Sequence, residues 1–287
     1  MVEIYASWTK GLPEDKEALA ILKNSGIIAG IELCKAGNEI ELIKNSGLKY
    51  NLHNALRDYK LGLDSQYFVP AMVKFPEVLK ACRESDPPAI GFHTGYSSLE
   101  DKMVSKEGTV ATTLKSIRFL DEKLNKKVIF ESTCYHERYF SSGHQGVANY
   151  VTSPIFFKEI LSRSKAGFLF DVSHNLVSGT TKIIHKEYKG EISDYFREIL
   201  NVVAKETYQM HLNVPSGDHK VGYNDMHLPL KMNQKNSKLV LLLAKEVLDS
   251  CPNLKTLTLE LNPIDASPKH HAKMLVEQAK LIHKHLL

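Results

Sequence analysis

Eight short apolar runs alternate along this chain with stretches of helical periodicity, and this alternation restricts the fold more than any other feature. The runs are predicted as strands at residues 2–6, 27–33, 49–52, 89–92, 127–130, 167–170, 208–210 and 257–259. Strands that alternate with helices indicate an α/β protein with a parallel sheet covered on both faces. Eight such repeats predict one domain over residues 1–287, a single (β/α)8 TIM barrel. A doubly wound open sheet is the alternative.

The composition suits a soluble globular protein, with 43% apolar and 24% charged residues among 287. The formal net charge of +4 permits an anionic substrate but does not favour a nucleic-acid-binding surface. The four cysteines are far apart and form no C-x-x-C pair, which is typical of reduced thiols. Because no long apolar span or signal-peptide pattern is present, we expect a cytoplasmic protein with no membrane partner.

Two long stretches without clear periodicity are predicted as loops. Residues 132–146 follow the fifth strand, and residues 212–236 follow the seventh. The second stretch contains several glycines and prolines, which are typical of turns. Loops of this length are uncommon unless they are functional, so both are expected to contribute to a site.

The segment FLFDVSHNLVSG, residues 168–179, indicates where such a site lies. A buried strand is predicted to end at Asp171, and His174 follows three residues later. In open sheets and in barrels, sites are built at the carboxyl ends of the strands. A carboxylate and an imidazole one short turn apart can bind one cation together. Taken alone, the pattern equally predicts a strand-to-helix turn in which Asp171 caps the helix.

Other predicted strands end in the same kinds of side chain. Six of the eight end at a histidine or a carboxylate, and three further donors follow strands six and seven. Because the carboxyl ends of barrel strands converge on one mouth, the sequence predicts a common metal site there. Its nine predicted ligands are His53, His93, Glu131, Asp171, His174, His211, Asp225, His227 and Glu260.

Five imidazoles and four carboxylates suit iron, zinc or manganese, and this set requires no cysteine. Nine donors exceed what one ion uses, so we expect two or three divalent metal ions. Each residue alone has an ordinary structural explanation, but those explanations would have to hold independently at many strand ends. Glu131 and Glu260 are also predicted to be catalytic. Glu32, at the end of strand two, is predicted to act as a general base or as an orienting carboxylate.

The order of these residues resembles the xylose isomerase-like TIM barrels, in the branch that contains endonuclease IV. The pattern of that enzyme is His at two strand ends, Glu, Asp-x-x-His, His, Asp-x-His and a final Glu, as found here from His53 to Glu260. FESTCY, DVSHNLVSG, MHLN and LTLELNP also resemble its segments. The resemblance implies a zinc-dependent phosphodiesterase that cleaves DNA at abasic sites. Two departures are Leu-Pro-Leu after His227, where endonuclease IV has a Gly-rich continuation, and the lack of an Arg-rich DNA-penetrating loop.

Other stretches are similar to the multinuclear non-haem iron-dependent oxidative enzymes, which modify cysteines in ribosomally made peptides. Residues 148–179, MHLNV and DMHLPL carry this resemblance. It implies an iron centre and a peptide or small thiol substrate, which in this family is often presented by a partner protein. The family often has Asn where His174 stands here, and this departure keeps the hydrolase interpretation open.

The sequence therefore predicts a metal-dependent oxidoreductase with a peptide or small-molecule substrate, and iron is favoured over zinc or manganese. One alternative is the zinc-dependent abasic-site endonuclease, for which DNA would be the partner. The other is a divalent-metal sugar isomerase or epimerase with a single ion. In that alternative the ion is held by Glu131, Asp171, His211 and Glu260.

Overall fold

The computed structural model describes residues 2–8, 15–34, 37–53, 76–86, 89–94, 105–131, 133–136, 145–262 and 267–287. Eight parallel strands form a nearly closed barrel, which confirms the predicted (β/α)8 fold. The barrel strands are β1 (Glu3–Trp8), β2 (Ile28–Leu33), β3 (Lys49–Leu52), β4 (Ala89–His93), β5 (Lys127–Glu131), β6 (Gly167–Asp171), β7 (Thr207–Leu212) and β10 (Thr256–Leu259).

The strands follow the order β3-β2-β1-β10-β7-β6-β5-β4 around the sheet, and every neighbouring pair is parallel. Among the described residues, β3 and β4 are joined by one isolated parallel bridge between His53 and Gly91. This bridge brings the two ends of the sheet together. The doubly wound alternative is therefore wrong, since an open sheet would leave β3 and β4 at opposite edges.

Helices cover the outside of the barrel. They are α1 (Lys16–Asn24), α2 (Glu39–Ser46), α3 (Pro76–Glu84), α4 (Lys106–Leu124), α5 (Gln145–Val151), α6 (Pro154–Arg163), α7 (Val172–Ile184), α8 (Ile192–Val203), α9 (Lys235–Ser250) and α10 (Pro268–His285). Asp15 caps α1 by accepting from two backbone N–H groups, and Ser153 caps α6 in front of a proline. None of the helices in the described ranges is long and apolar enough to cross a bilayer.

Alternation along β5 and β6 separates the outer core from the barrel interior. The ring of Phe168 packs outward, with its centroid 5.1 Å from that of Phe130 and 5.0 Å from that of Phe157 on α6. Ile129 and Leu169, each next to one of these phenylalanines in the sequence, form a separate buried pair inside the barrel. Because residues i and i+2 of a strand share a face, Glu131 and Asp171 at the ends of β5 and β6 also point inward.

The predicted loop at residues 212–236 contains an antiparallel ribbon, which corrects that prediction. Its strands are β8 (Val214–Asp218) and β9 (Gly222–Leu228). Asp218 closes the turn by accepting from two backbone N–H groups. Gly217 has φ 86°, and a Cβ there would collide with a carbonyl oxygen of the facing strand. The glycines that suggested a loop therefore serve the tight ribbon itself.

Candidate metal centre

Glu131 ends β5 and lies at the centre of the site. The sheet register places this buried residue beside His93. Its Oε2 atom lies 2.9 Å from Nε2 of His53 and 2.9 Å from Nε2 of His93, and the two nitrogens are 3.1 Å apart. Its Oε1 atom lies 3.1 Å from Nδ1 of His174. One carboxylate thus faces two separate imidazole groups through different oxygens, as a carboxylate that bridges two metal ions would.

Strands β6, β7 and β10 bring together a second group of donors. The register pairs Asp171 with His211. The Nδ1 atom of His211 lies 3.2 Å from Oε2 of Glu260 and 3.8 Å from Oδ2 of Asp171. One ligand atom from each of these three residues falls within 4.8 Å of the other two. Their side chains could therefore share one ion.

The ribbon strand β9 adds Asp225 and His227 to the site. These residues are partly buried and lie on one face of the strand, whereas Met226 between them is exposed. Oδ2 of Asp225 lies 2.9 Å from Nε2 of His227 and 3.3 Å from Nε2 of His174. Nδ1 of His227 lies 3.8 Å from Oε1 of Glu260. All nine predicted ligands therefore lie in one connected cluster.

The position of Asp171 is compatible with both of the roles that its place in the sequence suggested. Its Oδ1 atom accepts a hydrogen bond from the backbone N–H of His174 at 2.7 Å and so caps α7. Its Oδ2 atom faces the ring of His211 in the cluster. Since a carboxylate has two oxygens, capping and metal binding are compatible here.

Burial and charge shift the ionisation of the two inward carboxylates in opposite directions. Burial raises the pKa of Asp171 to about 7. Burial would also raise the pKa of Glu131, but the positive charges of three imidazoles, foremost that of His93, hold it well below its usual range. Strong shifts from burial and specific charge partners are typical of functional sites.

Neighbouring carboxylates raise the pKa values of two histidines of the cluster, His211 and His227. Burial opposes a charge on His211, yet Glu32 and Glu260 raise its pKa well above its ordinary value. Burial likewise opposes a charge on His227, and Glu260 and Asp225 raise its pKa to about 9. The cluster therefore carries strong internal attraction between imidazoles and carboxylates.

Several polar atoms of the cluster are buried without a partner in hydrogen-bond geometry. In the described part of the chain these atoms include both carboxylate oxygens of Glu131, Oδ2 of Asp171 and Nδ1 of His211. An unsatisfied buried polar group costs about 1–3 kcal/mol. Most of these atoms face the interior of the cluster, where divalent ions would bind their lone pairs. The donor set therefore fits a metal centre.

Cys134 also belongs to the cluster, although the ligand prediction left it out. Its Sγ atom, a ring nitrogen of His174 and a carboxylate oxygen of Asp225 lie within 4.8 Å of one another. The residue is 7% exposed, and burial raises the pKa of its thiol to about 12. The signal in the sequence was its position three residues after Glu131, in FESTCY.

Glu32, predicted to be catalytic, is fully buried next to His211. Its Oε1 atom lies 2.9 Å from Nε2 of that ring. Its Oε2 atom accepts hydrogen bonds from Asn51 at 3.2 Å and from Thr258 at 3.3 Å. This position fits the orienting role, one of the two roles predicted for Glu32.

Exposure differs between the two sides of the cluster. The side chains of His93, Asp225 and His227 are 21%, 15% and 19% exposed. Those of Glu131 and Asp171 are 1% and 0% exposed. Among the described residues, the cluster is therefore more exposed at His93 and at the ribbon residues Asp225 and His227 than at Glu131 and Asp171.

The sequence matches no protein-family model and no curated protein, whereas many solved structures share its fold. The IOLI protein with a bound zinc atom is 11% identical, with a TM-score of 0.66 and 99% of each chain covered. A xylose isomerase-like TIM-barrel protein from Mycobacterium smegmatis, in complex with magnesium, is 10% identical, with a TM-score of 0.58 over 100% of this chain and 97% of that one. A D-tagatose 3-epimerase-like protein is 13% identical, with a TM-score of 0.61 over 99% and 97%.

At identities of 10–13%, these likenesses show a shared fold and do not show a shared chemistry. They agree with the resemblance that the order of histidines and carboxylates indicated. The chain has the fold of the xylose isomerase-like TIM barrels.

Proposed function

We propose that this protein is an enzyme with a multinuclear metal centre, and that it is an iron-dependent oxidoreductase acting on a peptide or small thiol. The position of Glu131 carries the multinuclear part of the proposal. Its Oε2 atom faces His53 and His93, whereas its Oε1 atom faces His174. A single ion would leave one of these two imidazole groups without a role.

Three groups of side chains would hold the ions. They are His53 with His93 and Glu131, Asp171 with His211 and Glu260, and His174 with Asp225 and His227. Imidazole and carboxylate ligands suit iron, zinc and manganese. Four carboxylates also supply four negative charges, which offset most of the charge of two or three buried divalent ions.

Iron bound here would supply redox chemistry and a Lewis-acidic position for a substrate thiolate. The chain's own residues determine how a substrate arrives. His93, Asp225 and His227 form the accessible side, so a peptide or small thiol would approach past the ribbon. The buried carboxylates exclude bulk water from the opposite side. Iron ranks first because residues 148–179 and DMHLPL resemble the iron-dependent oxidative enzymes.

A zinc-dependent phosphodiesterase is the second candidate, and His174 favours it. This residue places Nε2 3.3 Å from Asp225, at a position where the iron enzymes often have Asn. A sugar isomerase or epimerase ranks third. It needs one ion, and His53 and His93, which contact Glu131, would then orient sugar hydroxyls instead of binding metal.

Purification without oxygen, followed by elemental analysis and absorption spectroscopy, tests the proposal. We expect at least two equivalents of transition metal per chain, mainly iron, and a spectrum that changes when O₂ or a thiol is added. His211→Ala should lose metal, whereas His285→Ala, at an exposed position on α10, should retain it. Less than one equivalent after metal-replete expression contradicts the metal centre. Cleavage of an abasic duplex by iron-free, zinc-loaded protein would instead establish the phosphodiesterase.

A further inference from the structure

Cys134 reaches the cluster from the segment that follows β5. We propose that its thiolate is a metal ligand, on the side formed by His174 and Asp225. This inference rests on the metal centre proposed above. It adds sulfur to a ligand set that otherwise consists of nitrogen and oxygen.

The spacing of the three donor atoms fits one ion. Sγ of Cys134, a ring nitrogen of His174 and a carboxylate oxygen of Asp225 are all within 4.8 Å of each other. Bonds of about 2.0–2.3 Å in a tetrahedral zinc site place the ligand atoms roughly 3.3–3.8 Å apart. Side-chain rotation of these three residues would bring their donor atoms to that spacing.

The backbone that carries Cys134 is fixed by its neighbour Tyr135. The backbone N–H of Tyr135 donates to Oγ of Ser178 on α7 at 3.0 Å. Its hydroxyl donates to Oε1 of Glu187 at 3.0 Å. Because both ends of Tyr135 are held, the thiol beside it is positioned before a metal binds, as a ligand should be.

Asp225 is also held in place for such a role. Oγ of Ser173 donates to its Oδ1 atom at 3.2 Å. This hydrogen bond leaves Oδ2 directed toward His174 and His227, at 3.3 and 2.9 Å. Outer hydrogen bonds that orient a ligating carboxylate are a regular part of metal sites.

The alternative is that Cys134 has a structural role only and packs as a small apolar residue of the core, as buried free cysteines often do. Cys82 and Cys251 fit that description: both are buried, and neither joins a donor group in the described residues. Cys134 differs because an imidazole and a carboxylate lie beside its sulfur. Core packing alone gives no reason for these polar neighbours.

A thiolate ligand changes which ions the centre accepts. Sulfur favours iron, zinc and cobalt over magnesium and calcium, which prefer oxygen ligands. The thiol must lose its proton to bind, so metal binding at this position releases one proton to solvent. We therefore expect magnesium to compete poorly with these metals.

Substitution with cobalt(II) tests the ligand directly. A cobalt–thiolate bond produces an intense charge-transfer absorption in the near ultraviolet, whereas nitrogen and oxygen ligands alone give weak visible bands. We expect the intense band in the wild-type protein and in Cys251→Ser, and its loss in Cys134→Ser with the visible bands retained. X-ray absorption of the wild-type protein should also show a metal–sulfur distance of about 2.3 Å, whether or not the variant folds.

The outcomes separate the sulfur ligand from the metal centre. The cobalt-loaded wild-type protein could show visible bands but no charge-transfer band and no metal–sulfur distance. That result would overturn the thiolate ligand and would still support the metal centre. A charge-transfer band that persists in Cys134→Ser assigns the sulfur to another residue and also overturns the proposal. A wild-type protein that binds neither cobalt, iron nor zinc overturns the metal centre and this inference together.

Discussion

The Nε2 atom of His211 lies 2.9 Å from Oε1 of Glu32, and both side chains are fully buried. Nδ1 of the same ring lies 3.2 Å from Glu260. A proton on Nε2 is stabilised by Glu32, and that tautomer leaves the lone pair of Nδ1 directed at the cluster. Since Asn51 and Thr258 hold Glu32 in turn, the pair determines both the orientation and the tautomer of His211.

Glu32→Gln is expected to weaken metal binding by about 10–100-fold without abolishing it. Glutamine keeps the shape of the side chain but loses the charge that stabilises the proton on His211. Competition with a chelator of known affinity measures the change. Glu3→Gln is the matched control, because Glu3 belongs to an exposed ion pair with Lys49 at the start of β1. Equal affinities for the two variants would contradict the orienting role of Glu32.

Two substitutions at Asp171 should separate its role as a cap from its role as a ligand. Asp171→Asn and Asp171→Ala both remove the carboxylate that faces His211, so both should lose metal while remaining folded. Asparagine can still accept from the backbone N–H of His174, whereas alanine cannot. Without metal, the alanine variant should therefore be less stable by about 1 kcal/mol. Urea unfolding measures this difference, and equal stabilities would show that the cap contributes nothing.

Gly91→Ala is expected to reduce metal binding by about tenfold or more, by analogy with other residues that support a ligand. A Cβ at Gly91 would collide with Nδ1 of His53. That ring cannot move freely, because it is buried and lies 2.9 Å from Glu131. Gly146→Ala is the control, since a Cβ at Gly146 meets no atom within 4 Å. Metal titration of the two variants gives the comparison, and an unaffected Gly91→Ala protein would show that His53 is not required.

Because Lys182 is buried, we expect the free energy of unfolding to depend on pH even when the metal content does not change. Burial lowers its pKa to about 7, and its Nζ atom donates to carbonyl oxygens of Asn149 and Thr152. Between about pH 7 and pH 10.5 the unfolded chain binds more protons at this lysine, so stability should rise with pH. Lys182→Met should flatten that rise by at most about 1.4 kcal/mol per pH unit. Lys189→Met, at an exposed position, is the control.

Urea unfolding at several pH values, with the metal content held equal, measures these slopes. A wild-type slope that Lys182→Met leaves unchanged would mean that Lys182 stays charged in the folded protein. The absolute stability of the variant is not the test, because methionine also removes two hydrogen bonds from the core.

The strand ends were predictable because each joins a run of buried apolar residues to an ionisable residue that burial disfavours. In β5 and β6 an apolar run buried on both faces stops at one ionisable residue, Glu131 or Asp171. Burial of such a residue is costly unless it has a partner, so its presence at a strand end already indicates a site. The register then brings His93 beside Glu131 and His211 beside Asp171, which no single segment of the sequence shows.

The ribbon and the thiol were missed for different physical reasons. The ribbon lies outside the barrel and buries one face only, so β9 lacks the apolar run by which a core strand is recognised. Asp225 and His227 are nevertheless two residues apart, the spacing of one strand face. Cys134 lies in a segment without periodicity, and its place beside His174 depends on how α7 packs. Contacts of that kind follow from tertiary structure alone.

The bridge between His53 and Gly91, the one that joins β3 to β4 among the described residues, closes the barrel at the same residue that contacts Glu131. An ion held by His53 and Glu131 would therefore link β3 to β5 across the seam between β3 and β4. Its binding free energy would also favour closure of that seam, because a ligand stabilises the state that binds it. Amide hydrogens of β3 and β4 should then exchange with solvent more slowly as metal occupancy rises, so hydrogen exchange at the seam would report how full the centre is.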